Sequence, residues 1–388
     1  MINNRDNRKS TRIVMLVLSV LILSIMLSSC EFNINEKGFV KIGETYSGVK
    51  NFSEGFASVK KADKWGVIDL NGELVVDYQY DDIWYFKEGL CAVCKDGLWG
   101  YIDNTGKMII EPQFDSTWFF SNDLAVVKKN GKFGYIDKTG NIVIECQFSE
   151  AGDFTSSLAW VANPVSSATS TLKYAYIDKT GKPVTDYVWV EGRSFSEGFV
   201  EVFDYYLSGF LNEKGELVIE QQFQDAGYFS EGLVAVENDY SWGYADKNGE
   251  IKIPYQFESA ERFSQGRAVV KKTRKYMFID NTGKPTTENI FDNAYDYSCS
   301  RARVSVNENG IKWFFIDLEG KKINDNTFDG AKDYSENYAA VKKGLRWGVI
   351  DSEGKQVISF GYDDVGKMTE NRMWLKKGES YIFIAPVD

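Results

Sequence analysis

The chain has 388 residues, carries 45 Lys and Arg against 56 Asp and Glu for a formal charge of −11, and contains no histidine. Its acidity disfavours phosphate backbones and anionic headgroups as partners, and without imidazole there is no Ser-His-Asp or Cys-His machinery and no usual histidine-bearing zinc site. Aromatic residues make up 15% of the chain with only 6 prolines, which suits packed β-structure and does not suit disorder.

The first segment reads as a targeting signal. Arg5, Arg8, Lys9 and Arg12 precede an apolar run of 15 residues, Ile13 to Leu27. At ~1.5 Å per residue this run reaches about 22 Å, short of a ~30 Å hydrocarbon core, so a signal peptide over residues 1–29 fits better than a permanent span. Leu27-Ser28-Ser29-Cys30 resembles the lipobox of bacterial lipoproteins. The resemblance implies a thioether-linked diacylglycerol on Cys30, which would become the first residue of the mature chain; an ordinary signal peptide or a short anchor is the plainer alternative. Residues 1–29 hold four basic groups and one acidic group, so their removal takes the formal charge from −11 to −14. Acyl chains gain ~0.8 kcal/mol per buried methylene. Residues 30–37 then form a lipid-anchored tether of at most ~25 Å, holding the rest close to the membrane in an extracytoplasmic compartment.

Residues 38–388 repeat. An Asp-x-x-Gly turn recurs at Gly38, Gly72, Gly106, Gly140, Gly181, Gly215, Gly249, Gly283, Gly320 and Gly354. A second marker, in its best form Phe-Ser-Glu-Gly, keeps the same step of mostly 34 residues from Phe52 through Phe86, Phe120, Phe154, Phe195, Phe229, Phe263, Tyr297 and Tyr334 to Met368. Two markers with one period define ten tandem units, a pattern that governs the whole fold. They are numbered here 1 to 10 by the second marker.

Within a unit, Leu124 to Lys129 is a β-rich run, Asn130-Gly131 favours a two-residue type I′ hairpin, and Lys132 to Ile136 returns. Asp137-Lys138-Thr139-Gly140 turns the chain again, because Asp bonds its own backbone and Gly supplies the positive φ. Asn141 to Glu145 makes a third strand. A lone meander of this size buries too little apolar surface to offset its conformational entropy, so the units must cover one another. The returning strand opens with an aromatic, such as Trp65, Trp99, Phe133 or Trp242, with Ser208 the small exception. The Gly that usually follows would let a neighbouring unit's backbone or ring approach closely.

Lys-Trp-Gly-Val-Ile-Asp at Lys64 to Asp69, joined to Phe-Ser-Glu-Gly at Phe52 to Gly55, resembles the WG (or KWG) repeat family of bacterial proteins over nearly all of residues 38–385. Trp-Gly itself stands only at Trp65-Gly66, Trp99-Gly100, Trp242-Gly243 and Trp347-Gly348; Met277 and Phe314 replace the Gly, so packing between units must differ there. The resemblance implies an all-β scaffold, commonly without assigned catalysis. The expected architecture is an open or gently superhelical array of about ten three-stranded antiparallel units, with a closed propeller-like ring as the alternative.

Candidate chemistry is sparse. Cys91-Ala92-Val93-Cys94 has redox spacing, but the two residues face opposite sides of a strand, which makes Cys91 a small core residue and Cys94 an exposed thiol. No pairing is deducible for Cys146 and Cys299. Each Asp-x-x-Gly turn offers one Asp, too few oxygens for calcium. Residues that break the pattern, Glu191 and Arg193 or Arg301 and Arg303, form no recognisable constellation. Two insertions, at Asn163 to Ser170 and between Ala302 and Trp313, fall in the same hairpin and so on one rim, where repeat proteins often bind and where hairpin tips also simply tolerate insertion. The expectation is a membrane-anchored scaffold without cofactor, metal or catalysis that binds a protein, glycan or wall partner and no nucleic acid. The alternative is a carbohydrate-active enzyme using a carboxylate pair.

Overall fold

A computed structural model describes residues 32, 36 and 38–387, apart from 166–169, 187, 289 and 308–309. The proposed leader and Cys30 lie outside the described residues. Among the described residues there is no helix, and the strands form ten antiparallel sheets, six four-stranded and four three-stranded, nine of them consecutive meanders. The three strands expected per unit are joined by a short leading strand just before the marker aromatic, such as Asp82–Ile83 ahead of Leu90–Lys95.

Of the two arrangements left open by the repeat, the chain takes the closed one. The N-terminal strand Phe39–Tyr46 pairs antiparallel with the last strand, Ser380–Pro386, and so supplies the fourth strand of unit 10. Ile42, Tyr46, Phe383 and Ala385 share a core cluster with Phe52, Ala57, Val59 and Ile68 of unit 1. The array is therefore a ten-bladed ring whose two end sheets are neighbours, which leaves no terminal edge open to pairing.

Each blade borrows its core from the next. Val67, Val76 and Tyr80 of unit 1 pack with Ile83, Phe86, Val93 and Ile102 of unit 2, and this mixing repeats around the ring. Fully burying one such side chain gains roughly 1.5–3 kcal/mol, which a lone meander forgoes on both faces. The rings that stack across blades are not the Trp of the returning strand but the aromatic two residues later. Where that residue is aromatic it meets the next unit's marker ring with centroids 4.8–5.7 Å apart, as in Tyr101–Phe120, Phe315–Tyr334, Tyr176–Phe195 and, across the closure, Phe383–Phe52.

The Trp-Gly glycine serves its own blade. A Cβ on Gly134 would stand 2.5 Å from Ile144 O and 2.7 Å from Cys146 N, in the fourth strand of the same unit, where the pairing register shifts. Gly66, Gly209, Gly243 and Gly348 face their own fourth strands likewise. Where Ala175, Met277 and Phe314 replace the glycine, the fourth strand gives way to isolated bridges such as Tyr174 with Trp189 and Tyr276 with Phe291. The expected difference in packing between units is thus a difference within them. The glycine that touches a neighbour is the turn glycine: Gly140, at φ +89°, lies against Ile110 of unit 2.

Candidate functional site

Three hydrogen-bonded fastenings recur between blades, and together they define what is left free. In the Ser-Glu-Gly turn, Ser53 Oγ donates to Phe86 O at 2.8 Å, while the Glu54 carboxylate accepts from the amides of Glu88 and Gly89, in the next turn of the ring. Glu88, Glu197 and Glu336 act alike, and Glu370 closes the circle on Gly55 N at 2.8 Å. Gln265 and Cys299 stand where two of these carboxylates would be; there Arg267 and Arg301 reach Leu318 O and Ser352 O in the following blade. At the opposite end of the sheets, Asp292 and Asp329 each accept from a lysine of the preceding unit, Lys275 and Lys312, and from a hairpin amide of their own, Asn307 and Gly344.

The third fastening positions the candidate site. Tyr101, Tyr135, Tyr176 and Tyr244 donate their hydroxyls to the carbonyls of Trp118, Gly152, Arg193 and Glu261 at 2.7–3.0 Å. Each acceptor is the residue two before the next marker aromatic. The backbone of this position is pinned, yet its side chain differs from unit to unit: Lys50, Trp84, Trp118, Gly152, Arg193, Gly227, Glu261, Tyr295, Lys332, Gly366. A row of unit-specific side chains on a repeated frame is how one scaffold carries an address.

Clefts open along this row. One, about 550 Å³, is lined by Gly227, Tyr228, Ala235, Trp242, Ser259, Ala260, Glu261, Arg262 and Asp296. A second, about 380 Å³, shares Glu261 and Asp296 and adds Tyr276, Tyr295 and Asp333. A third, about 430 Å³, spans the closure between Lys50, Trp84, Tyr85, Lys367 and Trp374. Trp84, Tyr85, Trp118, Tyr228 and Tyr295 are each 37–47% exposed, large rings left partly bare on one edge.

Electrostatics differ along the row. Burial, and then the charge of Glu261, push Asp296 up, and Arg262 Nε lies 3.6 Å from its Oδ2. Burial alone raises Asp153, whose Oδ1 has no hydrogen-bond partner. In unit 5 the pattern-breaking Arg193 forms an ion pair with buried Glu201, which also accepts from Ser208 Oγ. Burial pushes Glu201 up to about 7 against the pull of Ser208 and Arg193. Ser208, the small exception in the aromatic column, is thus the partner of a buried carboxyl. Arg303 lies over the Tyr295 ring at 3.5 Å and bonds Asp333, so Arg301 and Arg303 hold blades together.

Cys91 and Cys94 are both buried, which corrects the exposed thiol expected at Cys94: the unit's own leading strand, Asp82–Ile83, pairs beside it. Burial raises the Cys91 thiol well above its usual range. Cys146 is half-buried, Cys299 is exposed, and neither is paired. Among the described residues no three of His, Cys, Asp and Glu gather into a metal-binding group. Both insertions lie at the hairpin end of the sheets, opposite the Ser-Glu-Gly turns, and parts of each fall outside the described residues.

A closed ring of β-meanders with a variable row along one edge defines a repeat β-propeller scaffold. The family model described as WG containing repeat matches residues 34–65, 65–99, 99–133, 133–163, 209–240, 242–276, 276–309, 313–344 and 347–381, and the chain belongs to this WG-repeat family. The unmatched stretch, 164–208, holds the long hairpin and the Arg193–Glu201 pair. A search of curated proteins gives no match. Among solved structures the chain is similar to a eukaryotic initiation factor at 10% identity and a TM-score of 0.47, over 76% of this chain and 91% of that one. It is also similar to Hsv2p of Kluyveromyces lactis (11% identity, TM-score 0.33, 72% and 97% covered). A third likeness is to the extracellular domain of a hybrid two-component system from B. thetaiotaomicron (11% identity, TM-score 0.25, 91% and 64% covered).

Proposed function

We propose that this protein is a non-catalytic binding scaffold of the bacterial cell envelope, tethered to the membrane through a lipidated Cys30, that engages a protein or glycan partner along its variable row. The observation that carries this reading is the division of labour within each unit. Residues that fasten blades recur, whereas the pinned position beside the clefts carries Lys, Trp, Gly, Arg, Glu or Tyr in turn. Bare aromatic rings with a few convergent polar groups suit recognition. The competing reading, a carbohydrate-active enzyme, draws on Glu261 and Asp296 sharing one cleft with Tyr228 and Trp242.

Capture of partners from the parent envelope with the full chain, with mass spectrometry of Cys30, tests the proposal. An acylated Cys30 and a partner whose binding falls stepwise as Trp84, Tyr228 and Glu261 are replaced one by one support it. Turnover on a glycan that is lost abruptly in Glu261→Gln alone, or an unmodified Cys30, would overturn its non-catalytic or anchoring half respectively.

A further inference from the structure

Comparing units 1–4, 6 and 8–10 at one point of the frame singles out a vacancy. Beside the ring that opens each returning strand there is a slot, bounded by the variable residue two before the marker and by the third residue of the second strand. Units 1 and 9 fill it with lysine. Lys50 Nζ lies 4.9 Å above the Trp65 ring and bonds Asp82 Oδ1 and Ile83 O of the next blade; Lys332 Nζ lies 4.9 Å above Trp347 and bonds Asp364 Oδ1 and Val365 O. Units 4 and 10 have glycine there, and Trp160 and Trp374 of the second strand lie so close that a Cβ on Gly152 or Gly366 would strike the indole. Units 2, 3 and 8 fill it with Trp84, Trp118 and Tyr295, each packed on the ring in question.

Unit 6 fills it with nothing. The variable residue is Gly227, the second-strand residue is Ala235, and a Cβ on Gly227 would meet only Ala235, at 3.8 Å or more. Trp242 is, among the described residues, the one ring in its column without a cation or another ring against it. This slot opens into the cleft of about 550 Å³. Its charge is inverted as well. Lys60, Lys271, Lys342 and Lys376 stand across from the ring in units 1, 7, 9 and 10, whereas Glu237 stands across from Trp242. Glu261 and Asp296 line the same space, and Ala260, whose counterparts Ile83 and Val365 give their carbonyls to the internal lysines, forms its wall.

We propose that the unit 6 slot is a receptor for a lysine side chain presented by a protein partner, the incoming ammonium lying on Trp242 where Lys50 and Lys332 lie on their own rings. Cation–π attraction and a carboxylate of the next blade within hydrogen-bond reach are what the occupied slots display. At the vacant one Ser259 stands in the place of Asp82 and Asp364, and the carboxylates of Glu237, Glu261 and Asp296 supply the opposite charge. Arg262 lines the cleft at its rim, 65% exposed and directed to Asp296. The proposal deepens the scaffold reading and rests on it.

The test is calorimetric titration of the full chain with Nα-acetyl-lysine methylamide, the norleucine and Nε-acetyl-lysine analogues, and glucosamine. The lysine probe should bind saturably and at least tenfold more tightly than the others. Gly227→Lys, which plants the chain's own lysine in the slot at a position of ordinary backbone, should abolish binding with an unchanged melting temperature. Should that variant fail to fold, Trp242→Leu with Glu261→Gln must give the loss instead. Equal binding of norleucine, tighter binding of glucosamine, or undiminished lysine binding in the folded Gly227→Lys chain would each overturn the proposal. An envelope partner that still binds Gly227→Lys leaves the scaffold standing without this slot, whereas lysine binding with no captured partner leaves the slot without the scaffold reading.

Discussion

Gly134→Ala puts the role of the Trp-Gly glycine to a quantitative trial. The new Cβ would lie 2.5 Å from Ile144 O, 2.7 Å from Cys146 N and 2.8 Å from Cys146 Cα, all backbone atoms of the fourth strand. To restore ordinary contact that strand must retreat by about 0.9 Å, which strains the pairs Phe133 with Phe148 and Tyr135 with Ile144; overpacking of this kind costs about 1–3 kcal/mol. Replacing glycine also stabilises by roughly 0.4–1 kcal/mol through the unfolded chain. The net expectation is a loss of about 1–2 kcal/mol. Urea unfolding of the full chain reads the loss, and hydrogen exchange should show it concentrated in the amides of Ile142–Phe148. The reverse change, Ala175→Gly in unit 4, has no fourth strand to relieve, so it should cost only the ~0.5–1 kcal/mol of glycine's freedom. An unchanged urea midpoint in Gly134→Ala, with residues 142–148 still protected, would refute the account.

Glu336→Ala leaves the amides of Glu370 and Asn371 without their acceptor and should cost about 1–3 kcal/mol, read as a lowered urea midpoint. Burial alone would raise Glu88 and Glu197, but the Lys138 and Lys247 ammonium groups and the turn amides outweigh it and hold both low. Their contribution is therefore present above the ordinary carboxylate range and fades as pH falls through the lowered values, so acid melts should show an early loss that Glu88→Gln removes. Glu201 has the opposite sign: raised from 4.5 to about 7, its contribution is full below 4.5 and lost as pH rises toward 7. The stability difference between the native chain and Glu201→Gln should accordingly move in favour of Gln between those values; movement the other way would mean that the Arg193 charge outweighs burial. Deleting residues 38–46 removes the fourth strand of unit 10 and bares the edge of Ser380–Pro386, so light scattering should report self-association.

Much of this fold is written in local spacing. The 34-residue step, the hairpin at Asn130-Gly131 and the Asp137 to Gly140 turn are decided by residues close in sequence, and they fall where the pattern places them. Closure was less legible, because it depends on a small rotation per blade summed ten times, which no single residue encodes. The Ser-Glu-Gly marker was visible as punctuation, but its carboxylate's partners lie 34 and 35 residues on, beyond any turn-level reading. The glycine's true neighbour was hidden for another reason: the fourth strand returns over it only through a register shift. The vacant slot was within reach, since Gly227 and Ala235 stand in adjacent columns of the repeat, yet it appears only when those two columns are known to face each other.

The pairing of Phe39–Tyr46 with Ser380–Pro386 has a consequence in time. Synthesis runs at roughly 5–20 residues per second, so the strand made first waits on the order of twenty seconds to a minute before its mate exists. Through that interval the growing arc is a chain of half-satisfied blades, free to pair with whatever edge it meets. Sealing joins the first strand of the ring to the last, so an arc still lacking Ser380–Pro386 stays open.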